Sequence, residues 1–245
     1  MKVAVFADGH VGLRIVECLA RDYPQDLAVV VTQDVNDISR LAESLSLATL
    51  VAETDEGVVN RLKADGVELG ILAWWPRIVQ EPLLSSLPVG FINTHPSLLP
   101  FNRGKHYNFW ALVEQAPFGV SIHFVDDGID TGDVIAQQPI AYDWTDTGGS
   151  LYEKAQRAMV RLFEESYPQI RSRDYTRQVQ DRQSGSHHAA NELDRTSHIE
   201  LDKQYFAREL LNLLRARTFP GNPACWFEEG GQRFEITISI ERREK

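Results

Sequence analysis

The chain has 245 residues, of which 43% are hydrophobic and 24% charged, and its 25 Lys+Arg against 35 Asp+Glu leave a formal net charge of −10. A chain of this length makes one to two domains and buries a core without disulfide or structural metal, and its carboxylate excess argues against nucleic acid or an anionic membrane as partner. No apolar run reaches the ~18 residues of a membrane span, and the start, MKVAVFADGH, has no secretory leader pattern; Cys18 and Cys225, far apart, read as free thiols of a cytoplasmic protein.

Residues 2–7 (KVAVFA) predict a strand, Gly9 and Gly12 punctuate the turn after it, and 11–19 predict a helix with Val11, Ile15, Cys18 and Leu19 on one face. The near-continuous apolar run 27–32 (LAVVVT) fits a strand covered on both faces of a parallel sheet. A helix over 37–45 with Asp37 as N-cap, a weak strand over 47–51, and a helix over 57–64 closed by Gly66 follow. Residues 69–74 and 91–95 are the next strands. This alternation is that of an open α/β sheet with right-handed crossovers, in which ligands bind at the carboxyl ends of the strands.

Beyond it, 106–115 predict a helix, and 120–125 and 134–140 predict strands around an acidic loop at 126–133. A long helix over 151–167 starts from a capping box on Ser150 and Glu153. A polar, apolar-poor stretch reads as a linker, with His187 and His188 in a solvated loop. A helix over 202–217 and a hairpin over 224–240 turning at Gly230–Gly231 end the chain. The expected organisation is a catalytic domain at 1–175, a linker at 176–200 and a helix-plus-hairpin segment at 201–245.

The chemistry-bearing segment is FINTHPSLLPFNRGKHYNFW, residues 91–110. Asn93 and His95, two apart at a strand end, share one face. Asn93 offers an amide donor and His95 an imidazole that titrates near neutrality. The loop DDGIDTGD at 126–133 adds carboxylates. Amide, imidazole and carboxylate together suit acyl transfer without a covalent enzyme intermediate. Taken alone, a strand-end His in an N-x-H is more often structural than catalytic, and the loop could be an ordinary acidic turn; the loop lacks the spacing of an EF-hand, and no metal is called for.

NTHPSLLPFNRG followed by IDTGDVI resembles the core signature of the 10-formyltetrahydrofolate-dependent formyltransferases. The resemblance runs from residue 1 to about residue 170. It implies a Rossmann-like, mostly parallel α/β catalytic domain and a catalytic trio on Asn93, His95 and Asp130. It also implies a pterin pocket lined by Trp75, Arg77, Ile78, Val79, Val125, Asp126, Gly128 and Asp130, with 10-formyltetrahydrofolate as co-substrate. The tandem Trp74–Trp75 is bulkier than that pocket leads one to expect.

Within the family, the near-neutral tail is too short for the basic barrel of the methionyl-tRNA enzymes. The first turn, ADGHVG, lacks the phosphate cradle expected of glycinamide ribonucleotide enzymes, and the catalytic domain begins at residue 1 without the extra domain of the formyltetrahydrofolate hydrolases. RGKHYNFW at 103–110 and the tail from Arg208 are similar to the nucleotide-sugar N-formyltransferases. That branch implies a dTDP-linked amino-dideoxy sugar as acceptor, 4-amino-4,6-dideoxyglucose or its 3-amino analogue, for surface polysaccharide. It also implies a homodimer through the tail. Arg77, Arg103 and Lys105 are candidate phosphate ligands, and Tyr107 and Asn108 candidate sugar or base contacts. Trp226 and Phe227 fit a dimer core or stacking on thymine. The alternatives are formyl transfer to another small amine, such as glycinamide ribonucleotide, and a non-catalytic protein that binds nucleotide sugar or folate.

Overall fold

The computed structural model describes residues 1–52, 54–181 and 183–243. Glu53, Arg182, Glu244 and Lys245 lie outside that description, the last three within the expected linker and C-terminal segment. The chain opens with β1 (Val3–Ala7), α1 (Gly9–Asp22), β2 (Leu27–Thr32), α2 (Asp37–Ser44), β3 (Thr49–Val51), α3 (Asp55–Ala64), β4 (Leu69–Ala73) and β5 (Gly90–His95). It continues with β6 (Arg103–Gly104), α4 (Tyr107–Val113), β7 (Gly119–Phe124), β8 (Val134–Pro139) and α5 (Gly148–Ser172). The rest is β9 (His187–His188), α6 (Glu192–Thr196), α7 (Ala207–Arg217), β10 (Cys225–Glu229) and β11 (Gln232–Ile236).

Seven strands form one sheet in the order β3-β2-β1-β4-β5-β7-β8. β1 through β5 pair in parallel, and β7 returns antiparallel to β5. The chain winds outward from β1 to β3 and comes back beside β1 as β4, so the sheet has a switch point where the winding reverses. β1 and β4 are buried at every position, as their uninterrupted apolar sequences require of strands covered on both faces. This is the expected Rossmann-like fold, with an antiparallel hairpin of β10 and β11 in the C-terminal segment.

The caps of α2 and α5 lie earlier than the sequence reading. Asn36, not Asp37, caps α2: its side chain accepts from the backbone N–H of Ile38 at 2.9 Å and of Ser39 at 3.1 Å, and Ser39 Oγ accepts in return from Asn36 N–H at 2.9 Å. Asn36 is extended while Asp37 has already turned helical, and only an extended residue can aim its side chain back at the orphan N–H groups. Before α5, the reciprocal pair is Thr147 and Ser150, at 3.0 and 3.2 Å, three positions ahead of the expected box.

The chain divides into two compact units. The first takes in Met1–His95, Ser121–Gln137 and Met159–Gln180. Its core includes Phe6, Val29, Val31, Leu62, Leu72 and Phe91. Asp26, only 2% exposed, accepts from Arg171 Nε at 2.7 Å and from the Tyr167 hydroxyl at 3.1 Å. Burial alone would push its carboxyl up, but these bonds outweigh it and hold the group below the usual carboxylate range. The second unit takes in Pro96–Val120, Gln138–Ala158 and Asp181–Lys245. In it Leu214 of α7 and Cys225 of β10 pack with Ile199, Phe227 and Ile236.

The stretch 176–200, expected as a linker, carries structure. Gln178 forms an isolated bridge with Val134, β9 pairs in parallel with β6, and α6 follows. Backbone pairing needs no apolar side chain, so the polarity that suggested a linker did not exclude it. Cys18 and Cys225 are both free and buried, and burial pushes their thiols up to about 11 and about 12.

Candidate active site

β5 holds its residues by ladders on both sides. It is in parallel register with β4 through Ile71–Ile92 and Leu72–Asn93. It is in antiparallel register with β7 through Asn93–His123, Thr94–Ile122 and His95–Ser121. Strand alternation puts Asn93 and His95 on one face and turns Thr94 to the other. There the Thr94 hydroxyl donates to the Leu72 carbonyl at 3.0 Å and accepts from Trp74 N–H at 3.3 Å. His95 is 4% exposed.

After β7 the chain makes the acidic turn 126–133. Asp126 Oδ1 accepts from the Gly128 N–H at 3.1 Å and from the Thr131 hydroxyl at 2.6 Å, closing the turn on itself. Gly132 has no room for a side chain, because a Cβ there would strike the Phe124 carbonyl. Asp130 sits at φ 52°, in the left-handed region that residues other than glycine rarely adopt.

That conformation brings the Asp130 carboxylate to the face of β5. Its Oδ2 lies 3.4 Å from His95 Nδ1. Its Oδ1 accepts from Asn93 Nδ2 at 3.3 Å and lies 3.5 Å from His123 Nε2. The three expected residues, thirty-seven positions apart at their widest, therefore form one cluster in the first unit.

A fourth member, His123, escaped the sequence reading. It stands directly across from Asn93 in the β5–β7 pair. Its Nδ1 is 2.7 Å from the Phe124 carbonyl, which can only accept, so Nδ1 carries the proton. Its Nε2 lies 3.3 Å from Asn93 Nδ2. With the Asp130 carboxylate and this ring nitrogen both facing it, the Asn93 amide is fixed with its nitrogen turned into the cluster. The signal was present in the alternation of GVSIHF, where Ser121 and His123 share a face. Finding it required knowing that β7 pairs with β5.

A half-buried amide donor, an imidazole and a carboxylate on a shared locus can stabilise a developing oxyanion and move a proton beside it. The family description "Formyl transferase" matches residues 1–166. The chain belongs to the formyl transferase family. A second description, "N-formyltransferase dimerization C-terminal domain", matches residues 192–242. A dTDP-4-amino-4,6-dideoxyglucose formyltransferase of Mycobacterium tuberculosis is 27% identical over 151 residues, 61% of this chain. The match spans 64% of that relative, less than two thirds of its length. Among solved structures, a sugar N-formyltransferase from a Shewanella species superposes with a TM-score of 0.85 at 21% identity, covering 100% of this chain and 99% of that one. A formyltransferase of Anoxybacillus kamchatkensis, solved with UDP-4,6-dideoxy-4-formamido-L-AltNAc and tetrahydrofolate, gives 0.61 at 26% identity over 80% of this chain and 89% of that one.

In this formyl transferase chain the expected pterin-wall residues belong to the first unit. Trp75 is half-buried and meets Phe6 edge-on at 5.5 Å, and Phe6 in turn meets Phe91 at 5.6 Å, so the core takes up part of the bulk of Trp75. Val79 is buried, and Ile78 is 71% exposed. Arg77 is drawn elsewhere: it donates to the Ala52 carbonyl at 3.1 Å and faces Asp55 at 3.5 Å, both in the segment that follows the edge strand β3.

The remaining substrate candidates belong to the second unit. Asn108 is buried and donates to the Gly148 carbonyl at 2.8 Å, at the start of α5. Burial, with Tyr152 beside it, holds the Tyr107 phenol well above its usual range. Among the described residues the Arg103 Nε is buried without a hydrogen-bond partner, and Lys105 is exposed and makes no ion pair. Trp226 stacks on His198 at 4.3 Å and carries the Arg233 guanidinium 4.2 Å above its ring, and Phe227 stacks on Phe234 at 5.2 Å.

Proposed function

We propose that this chain moves a formyl group from 10-formyltetrahydrofolate to the amino group of a nucleotide-linked amino-dideoxy sugar. The acceptor is dTDP-4-amino-4,6-dideoxyglucose or its 3-amino analogue. The observation that carries the reading is the convergence of Asn93, His95 and Asp130 within 3.4 Å contacts on the face of β5. The activity of the Mycobacterium tuberculosis relative supports the sugar acceptor, and the UDP-sugar and tetrahydrofolate held by the Anoxybacillus kamchatkensis enzyme support a nucleotide-sugar acceptor and a folate donor. The chemistry of the site fits the donor: half-buried Trp75 and exposed Ile78 offer apolar surface for a flat ring near the strand ends.

The amine attacks the formyl carbon as a neutral nucleophile. A new C–N bond forms, the bond from that carbon to N10 breaks, and the amine proton ends on N10. Asn93 donates an N–H to the oxygen that becomes negative, exchanging one of its two 3.3 Å contacts for a charge-assisted one. His95 takes the amine proton or steadies that oxygen. Asp130, against His95 Nδ1, orients the ring and helps pass the proton on to the departing nitrogen. Arg103 and Lys105 have donors to spare for the diphosphate. The segment 192–242 pairs two copies of the chain, with Phe206 and Phe234, 77% and 41% exposed, as apolar contacts. Among the described residues no helix is long and apolar enough to cross a membrane; a cytoplasmic location is part of the proposal.

The test is turnover. Purified protein is given 10-formyltetrahydrofolate with a panel of amines, including both dTDP-amino sugars, UDP-linked analogues and glycinamide ribonucleotide. Tetrahydrofolate release and a product heavier by one formyl group are followed. The dTDP-amino sugars should be consumed fastest; faster consumption of glycinamide ribonucleotide, or binding of nucleotide sugar with no formyl loss from the donor, would reject the reading.

A further inference from the structure

The carboxylate of Asp130 is useful only in its left-handed backbone conformation, and no neighbouring strand imposes that conformation. The turn has its own internal bonds, from the Gly128 N–H and the Thr131 hydroxyl to Asp126 Oδ1. A contact to the Asp130 peptide comes from fifty positions further along the chain. Gln180 Nε2 donates to the Asp130 carbonyl at 2.9 Å and to the Gly132 carbonyl at 2.7 Å. One amide nitrogen thus ties two carbonyls on either side of the Thr131 peptide.

Gln180 is held firmly enough to act as a clamp. It is 7% exposed. The segment leading to it is bonded to the end of the sheet by Gln178 and Val134, which exchange backbone hydrogen bonds of 2.8 and 2.9 Å. Arg177 lies 3.5 Å above the Phe124 ring, and Tyr175 packs against the same ring. Among the described residues the Gln180 Oε1 is buried with no partner. A leucine or methionine would fill the space without burying an orphan acceptor, so it is the two N–H donors that set this side chain apart from an apolar filler.

We propose that Gln180 is a positioning residue for the formyl transfer: it fixes the Asp130–Gly132 peptides so that the carboxylate stays against His95 and Asn93. The proposal rests on the reading of Asp130 as part of the catalytic cluster. Gln180 itself touches no reacting atom. It works through the backbone of the turn and not through charge.

Gln180→Met keeps the volume without the donors, and Gln180→Glu keeps the shape but sets a carboxylate against two carbonyls. Each should lower kcat by about 10- to 100-fold per folded molecule. The Michaelis constant for the amino sugar should stay within about threefold, since its expected contacts lie outside this turn. Gln180→Glu should be the slower. Asp130→Asn, measured beside them, separates the two readings. If Asp130→Asn keeps its rate, the catalytic reading itself fails; if it is slow while Gln180→Met turns over normally, only the clamp fails. With the clamp correct, adding Gln180→Met to Asp130→Asn should slow the residual rate by less than about twofold, because the clamped group is already gone. Loss of folded protein in both Gln180 variants, or an equal loss of kcat in the presence and absence of the Asp130 carboxylate, would overturn the proposal in favour of a purely structural role.

Discussion

The end of β5 and the turn at 126–133 deliver side chains to one cluster, and they are held there by different forces. Asn93 and His95 ride on a strand bonded to β4 on one side and β7 on the other, so backbone ladders set their height and pleat sets their face. Asp130 has no ladder. It stands at φ 52° in a turn secured by Asp126, Thr131 and the reach of Gln180. A strand residue inherits its position from many bonds that no single side chain controls. A turn residue depends on a few, each of which one substitution removes. Damage to the strand should therefore register as lost stability, and damage to the turn as lost rate.

The largest effects test whether both regions are needed at all. His95→Ala and Asp130→Ala should each lower kcat by ~10²–10⁴-fold, the range for a displaced proton-transfer group, with circular dichroism showing an intact fold. A near-normal rate in Asp130→Ala would leave the turn as scaffolding only. Asn93→Ala should cost ~10²–10³-fold in kcat, as for one lost oxyanion donor, read from tetrahydrofolate release at saturating substrate. Thr131→Val removes the 2.6 Å bond to Asp126 and loosens the turn. It should slow turnover about tenfold while costing ~0.5–1.5 kcal/mol of stability. Gly70→Ala makes the opposite lesion. A methyl there would strike the Phe91 ring, packed over Gly70 across the β4–β5 pair. Overpacking of ~1–3 kcal/mol should lower the melting temperature by roughly 2–4 °C per kcal/mol, with kcat of the folded enzyme within about twofold of the parent. If instead Gly70→Ala slows turnover and Thr131→Val only lowers the melting temperature, the division between strand and turn is wrong.

The sheet was legible because its signal is dense. Runs such as LAVVVT and LGILA can be buried only on both faces, and each became a strand of the parallel sheet. Asn93 and His95 were legible for the same reason, since pleat alone puts them on one face. Asp130 was reached through resemblance, because a carboxylate in a turn has no periodicity to locate it. His123 was missed although its alternation was visible, since its importance comes from being opposite Asn93. Gln180 lay within a stretch that reads as linker. Its polarity is real, but its amide nitrogen is spent on carbonyls of the turn.

The amino-acid sequence by itself determined the alternation of strands and helices, the parallel core and the pairing of an amide with an imidazole at a strand end. Each of these follows from side-chain periodicity along a local stretch of chain. Only the tertiary structure decided that β7 runs antiparallel beside β5, that Asp130 turns left-handed to face His95, and that a glutamine fifty positions later holds it there. Those choices depend on which backbone groups remain to be bonded once the sheet has closed, a condition that no local pattern records.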